Sequence, residues 1–206
     1  MTLTAVVTGG SGGIGSEVVR ELRAKGWEVI SLSRREGCDV TNERQVVDAF
    51  SRLESLDALV HCAAVLIKRP FVETSTADWH AQLGPSLLGA FFCARETFKV
   101  MRGRGGSIVM VSSLSGVAGA EKFPGMAAYV AAKSGLAGLT EVLAAEGRGL
   151  GIRVNAISPG SVDTPMLRIA GVEGPALKPA DVARVIVWLA SPESAPLTGA
   201  NLRMDP

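Results

Sequence analysis

Leu3-Thr4-Ala5-Val6-Val7-Thr8-Gly9-Gly10-Ser11-Gly12-Gly13-Ile14-Gly15 decides the fold. Leu3–Thr8 reads as a short buried strand, and Ile14–Lys25 as a helix with Ile14, Val18, Val19 and Leu22 on one stripe. Glycine lets the intervening backbone turn tightly and approach an anion closely. The helix that follows aims free N–H groups and a positive dipole end at that anion. A G-x-G-x-x-G pattern is readable from Gly10, Gly12 and Gly15, and the register Thr8-Gly9 followed by Gly13-x-Gly15 fits as well. A merely flexible glycine turn is the simpler alternative, and the strand before it and the helix after it argue against that. The stretch therefore predicts a pyrophosphate-binding loop.

Outward from this loop, strand-like runs alternate with helix-like ones. Glu28–Leu32, Ala58–Ala63, Ser107–Ser112, Ile152–Ile157 and Asn201–Met204 read as strands. Glu43–Leu53, Asp78–Met101 (broken at Gly84-Pro85), Tyr129–Glu146 and Pro179–Ala190 read as helices. Such alternation implies βαβ units with right-handed crossovers and helices on both faces of a parallel sheet. The expected fold class is α/β: a doubly wound, mostly parallel, Rossmann-like sheet, in a single dinucleotide-binding domain over residues 1–206.

Composition narrows the function. The chain is 47% hydrophobic, ample for one core, and its 21 basic and 20 acidic residues leave a net charge of +1. That balance offers no field to gather nucleic acid or an anionic membrane. No apolar run approaches the ~20 residues of a membrane span. Cys38, Cys62 and Cys93 are odd in number and widely spaced, without metal-ligand spacing, which fits a reducing compartment and a cytoplasmic location.

Two further features carry chemistry. The second strand ends Ser31-Leu32-Ser33-Arg34-Arg35, with no carboxylate to hold a ribose 2′-hydroxyl. Ser33 and Arg34 could instead bind a 2′-phosphate, which favours NADP over NAD; two solvated arginines on a turn are the alternative. Tyr129-Val-Ala-Ala-Lys133 places a phenol and an ammonium one helical turn apart. Holding an ordinary tyrosine ionised at pH 7 costs roughly 4 kcal/mol. A nearby cation reduces that cost, so the pair reads as an acid/base device or as an ordinary surface pair. Tyr129 is the only tyrosine of the chain.

Taken in order, these residues resemble the short-chain dehydrogenase/reductase family over nearly the whole chain. Thr8-Gly9-x-x-x-Gly13-x-Gly15 matches the cofactor loop, implying contacts from Thr8, Gly9, Ser11, Gly13, Ile14 and Gly15. Asp39-Val40 matches the pair whose aspartate meets the adenine, and Ala63 lies in the segment that passes the adenosine. Ser107–Ser113 matches the strand leading to the catalytic serine, implying Ser113, with Ser112 as its competitor. Tyr129 and Lys133 match the catalytic pair. Asn155–Gly160 with Thr164-Pro165-Met166 matches the segment holding the nicotinamide end, implying Pro159, Gly160, Val162 and Thr164. Leu197–Leu202 resembles the closing strand. The resemblance implies that Tyr129 exchanges a proton with a carbonyl or alcohol oxygen and that Ser113 hydrogen-bonds that oxygen. Lys133 lowers the Tyr129 pKa and binds the nicotinamide ribose. Homodimers or homotetramers, built through the long helices at Ala131, Ala132, Gly135 and Gly138, are implied as well.

The chain also departs from the family. Asn-Asn-Ala-Gly is replaced by His61-Cys62-Ala63-Ala64, and the relay asparagine of the long helix by Ser86. Either Ser86 or a carbonyl freed by Pro85 is expected to hold the relay water. Only Arg34–Cys38 separates the second strand from Asp39, so the family's third strand is expected as a stub at the sheet edge. Leu167–Lys178 is a shortened substrate lid, leaving the site open or completed by a partner subunit. Phe123-Pro124-Gly125-Met126 either shapes the substrate pocket or forms a plain surface loop.

The expected function is hydride transfer between NADP(H), with NAD possible, and a small carbonyl or alcohol substrate. A cofactor-binding sensor or scaffold with little catalysis is the alternative. A sugar-nucleotide epimerase is disfavoured because no large C-terminal segment follows the last strand.

Overall fold

The structure is a computed structural model that describes residues 2–206. Six strands form one sheet: β1 (Thr4–Thr8), β2 (Glu28–Leu32), β3 (Ala58–His61), β4 (Gly106–Val111), β5 (Ile152–Pro159) and β6 (Asn201–Met204). Their order is β2-β1-β3-β4-β5-β6, and every pairing is parallel. The sheet is thus Rossmann-like, as expected, with the glycine loop near the point where strand order reverses.

Strand alternation divides the core into two layers. Val6, Leu59, Ile108, Met110 and Val154 face α2 (Glu43–Phe50), α4 (Gly89–Val100) and α5 (Ala127–Gly147). Ala5, Val7, Val60, Val109 and Ile157 face α1 (Gly13–Ala24) and α7 (Pro179–Ala190). With both faces covered, the strands carry near-continuous apolar runs, which is why they were readable. No helix among the described residues is long and apolar enough to cross a membrane.

The expected edge stub does not form. Arg34–Glu36 makes a single 3-10 turn, closed by Gly37 at φ +86°, and the chain passes directly to α2. Too few residues separate β2 from Asp39 to lay a strand alongside, so β2 is itself the edge. A groove of about 740 Å³ runs between this edge and α2.

The α-helical pattern is interrupted at Gly84-Pro85, as expected, but without a gap in the helical path. That path continues from α3 (Thr76–Leu83) through a widened π-type turn, Gly84–Leu88, into α4. Proline lacks the N–H an α-turn would use, and a wider turn accommodates that loss. The turn packs against α5, where a Cβ on Gly135 would sit 2.9 Å from Leu87. Gly135 and the fully buried Ala132 therefore serve packing inside the chain, while Ala131 and Gly138 are exposed. One further helix, α6 (Pro165–Ala170), leads into the shortened lid.

Candidate active site

The glycine loop joins β1 to α1. Gly9 has φ +66°, and a Cβ there would meet the Ala63 backbone at 2.9 Å, so only glycine fits. Gly15 is pressed against the Gly9 carbonyl, 2.3 Å from where its Cβ would lie. The first turn of α1 has no side-chain cap and no acidic residue, which leaves its amides and dipole facing outward. That donor set fits a pyrophosphate. Thr164, from the lid side, lies over the loop: a Cβ on Gly13 would come within 2.5 Å of its Cγ2.

At the end of β2 the structure adds one residue to the expected set. Sequence reading found no carboxylate at the end of β2, but the 3-10 turn folds Glu36 back onto it. The Glu36 carboxylate accepts from the Ser31 hydroxyl at 2.8 Å and the Ser33 hydroxyl at 2.5 Å. Ser33 is therefore already engaged, whereas Arg34 is exposed. A carboxylate three residues after the expected position, behind a turn of unknown geometry, gives no sequence signal. Asp39 is half-buried and accepts from the Thr41 amide and hydroxyl at 2.9 and 2.8 Å, and Val40 packs under Gly89.

Ser113, Tyr129 and Lys133 converge at the C-terminal end of β4 and the start of α5. Ser112 donates its hydroxyl to the Lys133 carbonyl at 2.8 Å, which ties α5 to β4 and directs Ser113 to the other side. The Ser113 hydroxyl accepts the Ser115 amide at 3.2 Å and also bears on Tyr129. Burial raises the Tyr129 phenol above its ordinary range, and Ser113 opposes the rise. Lys133 is 2% exposed and donates to the Val111 carbonyl at 2.7 Å, with its ammonium 5.6 Å from the Tyr129 ring centroid. Burial pushes the Lys133 ammonium down to about 8. Burial dominates at Tyr129 and Ser113 alone opposes it, while the Lys133 ammonium is turned to the Val111 carbonyl, so the expected lowering of the phenol by Lys133 is not seen in this geometry.

A cavity of about 500 Å³ opens beside Tyr129 and Ser113. It is the better candidate for chemistry than the larger edge groove, which contains neither residue. Leu66, Phe123, Met126 and Met166 give it apolar walls, so the Phe123–Met126 segment does shape the pocket. Pro159, Gly160, Val162 and Thr164 form the opposite wall beside Ile14.

The profile of the family described as enoyl-(acyl carrier protein) reductase matches residues 9–206. The chain belongs to the short-chain dehydrogenase/reductase family. It is 33% identical to the acetoacetyl-CoA reductase of Rhizobium meliloti (strain 1021), over 98% of this chain and 96% of that one. Among solved structures it is similar to ElxO with NADP bound, at TM-score 0.89 and 28% identity over 100% of this chain and 98% of that one. The ligand-free aldohexose dehydrogenase of Thermoplasma acidophilum superimposes at TM-score 0.91 with 27% identity, over 99% of this chain and 92% of that one. The short-chain dehydrogenase/reductase assignment makes this protein an NAD(P)-dependent oxidoreductase.

Ser86, the substitute at the relay position, lies in the π-type turn. It is fully buried and its hydroxyl has no hydrogen-bond partner. The Pro85 and Ser86 carbonyls both face His61, whose Nε2 lies 3.0 and 3.2 Å from them.

Proposed function

We propose that the whole chain acts as one catalytic unit that interconverts an uncharged, apolar ketone and its secondary alcohol with NADP(H). The carrying observation is that Ser113 and Tyr129, with Lys133 buried one helical turn behind Tyr129, meet a largely apolar cavity that adjoins the glycine loop through Ile14 and Thr164. When bound, the dinucleotide supplies or accepts the hydride. Tyr129 gives its hydroxyl proton to the substrate oxygen, and a phenol kept neutral by burial is in the right form to do so. Ser113 donates a hydrogen bond to the same oxygen, stabilising the charge that develops there. Lys133 holds the nicotinamide ribose and favours loss of the Tyr129 proton once substrate and cofactor exclude water. Thr8, Gly9, Ser11, Gly13, Ile14 and Gly15 hold the pyrophosphate; Asp39, Val40 and Ala63 flank the adenosine; Pro159, Gly160, Val162 and Thr164 flank the nicotinamide.

Exposed Arg34 supports a preference for the 2′-phosphate, as does the likeness to a protein solved with NADP. Substrate charge follows from the cations around the cavity. Lys68 gives its ammonium to the Ala170 carbonyl at 2.6 Å, and Lys122 to the Val117 carbonyl at 2.6 Å. Arg69 pairs with Asp78 at 3.3 Å. The charged side chains that line the cavity, Glu121, Arg203 and Asp205, sum to one negative charge. These lining residues offer an anionic substrate no net positive charge, and the apolar walls favour a neutral one. A homodimer or homotetramer formed through α4 and α5 is part of the same proposal; Phe91 and Val142 are exposed on those helices, and Leu88 at the end of the π-type turn beside them.

The test is NADPH oxidation with a matched pair, 4-methylcyclohexanone and 4-oxocyclohexanecarboxylate. Turnover of the neutral ketone at a kcat/KM at least tenfold higher is expected. Equal or reversed preference sinks the charge argument. Tight NADPH binding with no turnover on a broad ketone panel would favour the alternative, a cofactor-binding sensor, to which the changes at His61, Cys62 and Ser86 point.

A further inference from the structure

The proton and hydride chemistry above makes no use of His61, yet this side chain is the most connected polar group beneath the site. It ends β3, fully buried, directly opposite Thr8 in the β1–β3 register. Its Nδ1 lies 2.9 Å from the Thr8 hydroxyl. Its Nε2 lies 3.0 Å from the Pro85 carbonyl and 3.2 Å from the Ser86 carbonyl. Carbonyl oxygens only accept, so Nε2 must carry the ring proton and Nδ1 must be the acceptor. The Thr8 hydroxyl then donates to Nδ1 and accepts the Ala63 amide at 3.3 Å. Each hydrogen bond of this chain has a fixed direction.

We infer that His61 is a positioning residue that locks the cofactor loop, through Thr8, to the π-type turn that carries Ser86. This inference rests on the proposed NADP(H) chemistry. Thr8 is the last residue before the loop, so the direction of its hydroxyl bears on how Gly9 leaves the strand. The turn is pressed against α5 at Gly135, two residues beyond Lys133. One ring thus joins the segment that grips the pyrophosphate to the segment that backs the catalytic helix. An acid/base role is closed to it: the ring has no solvent access, and burial with the nearby Lys133 charge pushes it down to about 4. A neutral ring of single tautomer serves as a strut, since protonation would aim a second N–H at the hydroxyl that must donate.

Calorimetric titration with NADPH and steady-state kinetics on the neutral ketone test the lock, using His61→Phe, Thr8→Val and the double variant. His61→Phe keeps a ring and removes both bonds. It should weaken NADPH binding about tenfold and lower kcat about tenfold. Because the two residues act as one unit, the double variant should be no worse than the worse single variant, within about twofold. A lowered melting temperature with NADPH affinity and kcat unchanged overturns the inference, and so do losses that multiply. Should His61→Phe not fold, nitrogen NMR of the unaltered chain decides. A neutral ring protonated at Nε2 from pH 5 to 8 is expected; a ring that titrates near 6.5, or one protonated at Nδ1, overturns the lock. If the unaltered chain binds neither NADPH nor NADH, the proposed function falls and the functional half of the lock falls with it. The NMR result still reports on the strut alone.

Discussion

Lys133 donates its ammonium to the Val111 carbonyl at 2.7 Å, from a position only 2% exposed. A single main-chain acceptor does not replace the water shell of an ammonium. The folded chain therefore holds that proton only up to about pH 8, against the usual 10.5. Between those values the unfolded chain binds more protons, so stability attributable to this group rises with pH. Below pH 8 the full penalty is present, roughly 3 kcal/mol. Lys133→Met should consequently unfold at higher urea than the unaltered protein at pH 7, with the gap narrowing at pH 10, while turnover is lost. Equal urea midpoints at both pH values would show that burial does not penalise the ammonium.

Tyr129→Phe should keep the fold and leave NADPH affinity within about threefold, because the hydroxyl is a minor part of the cofactor surface. Turnover should fall by about 10³-fold, the usual range for removing a general acid. Single-turnover measurement of NADPH oxidation checks this. A Phe variant retaining a tenth of the rate would remove Tyr129 from the proton path.

Glu36 and Arg34 should act on cofactor choice in opposite directions. Arg34→Ala should weaken NADPH binding about tenfold and NADH binding little, since only NADPH brings a 2′-phosphate to a guanidinium. Glu36→Gln removes a charge that Ser31 and Ser33 hold at the end of β2, and should tighten NADPH relative to NADH. Competitive titration of the two dinucleotides reads both effects. NADH bound more tightly than NADPH by the unaltered chain would reverse the proposed role of Arg34.

Ser86 buries a hydroxyl without a partner, which costs about 1–3 kcal/mol. Ser86→Ala should therefore melt at the same or a higher temperature than the unaltered protein. If the hydroxyl orders a water in the proton path, the same variant lowers kcat and displaces its pH profile. Unchanged kcat and pH profile would confine Ser86 to packing.

What the sequence revealed depended on how local the cause was. The loop from Thr8 to Gly15 and the apolar strands were legible, because glycine content and side-chain period are set within a few residues. Tyr129 and Lys133 were legible for the same reason, being one helical turn apart. The electrostatic relation between them was not, since it depends on Val111 offering its carbonyl from β4. Glu36 escaped notice because its partners, Ser31 and Ser33, are reached only when a 3-10 turn replaces the expected stub. His61 stands out in the sequence only as a departure from Asn-Asn-Ala-Gly, because its contacts depend on the β1–β3 register and on a turn 24 residues downstream.

A sheet that ends at β2 has a consequence for how the protein can be altered. The turn after β2 is four residues, Arg34 to Gly37, hung on the sheet margin rather than woven into it. Gly37 has no neighbour within 4 Å of a Cβ, and Arg34, Arg35 and Glu36 are exposed. On the proposed NADP(H) reading, cofactor preference resides in an exchangeable cassette, one that can be rewritten or lengthened without disturbing a strand pairing or the proposed proton-transfer residues beyond β4.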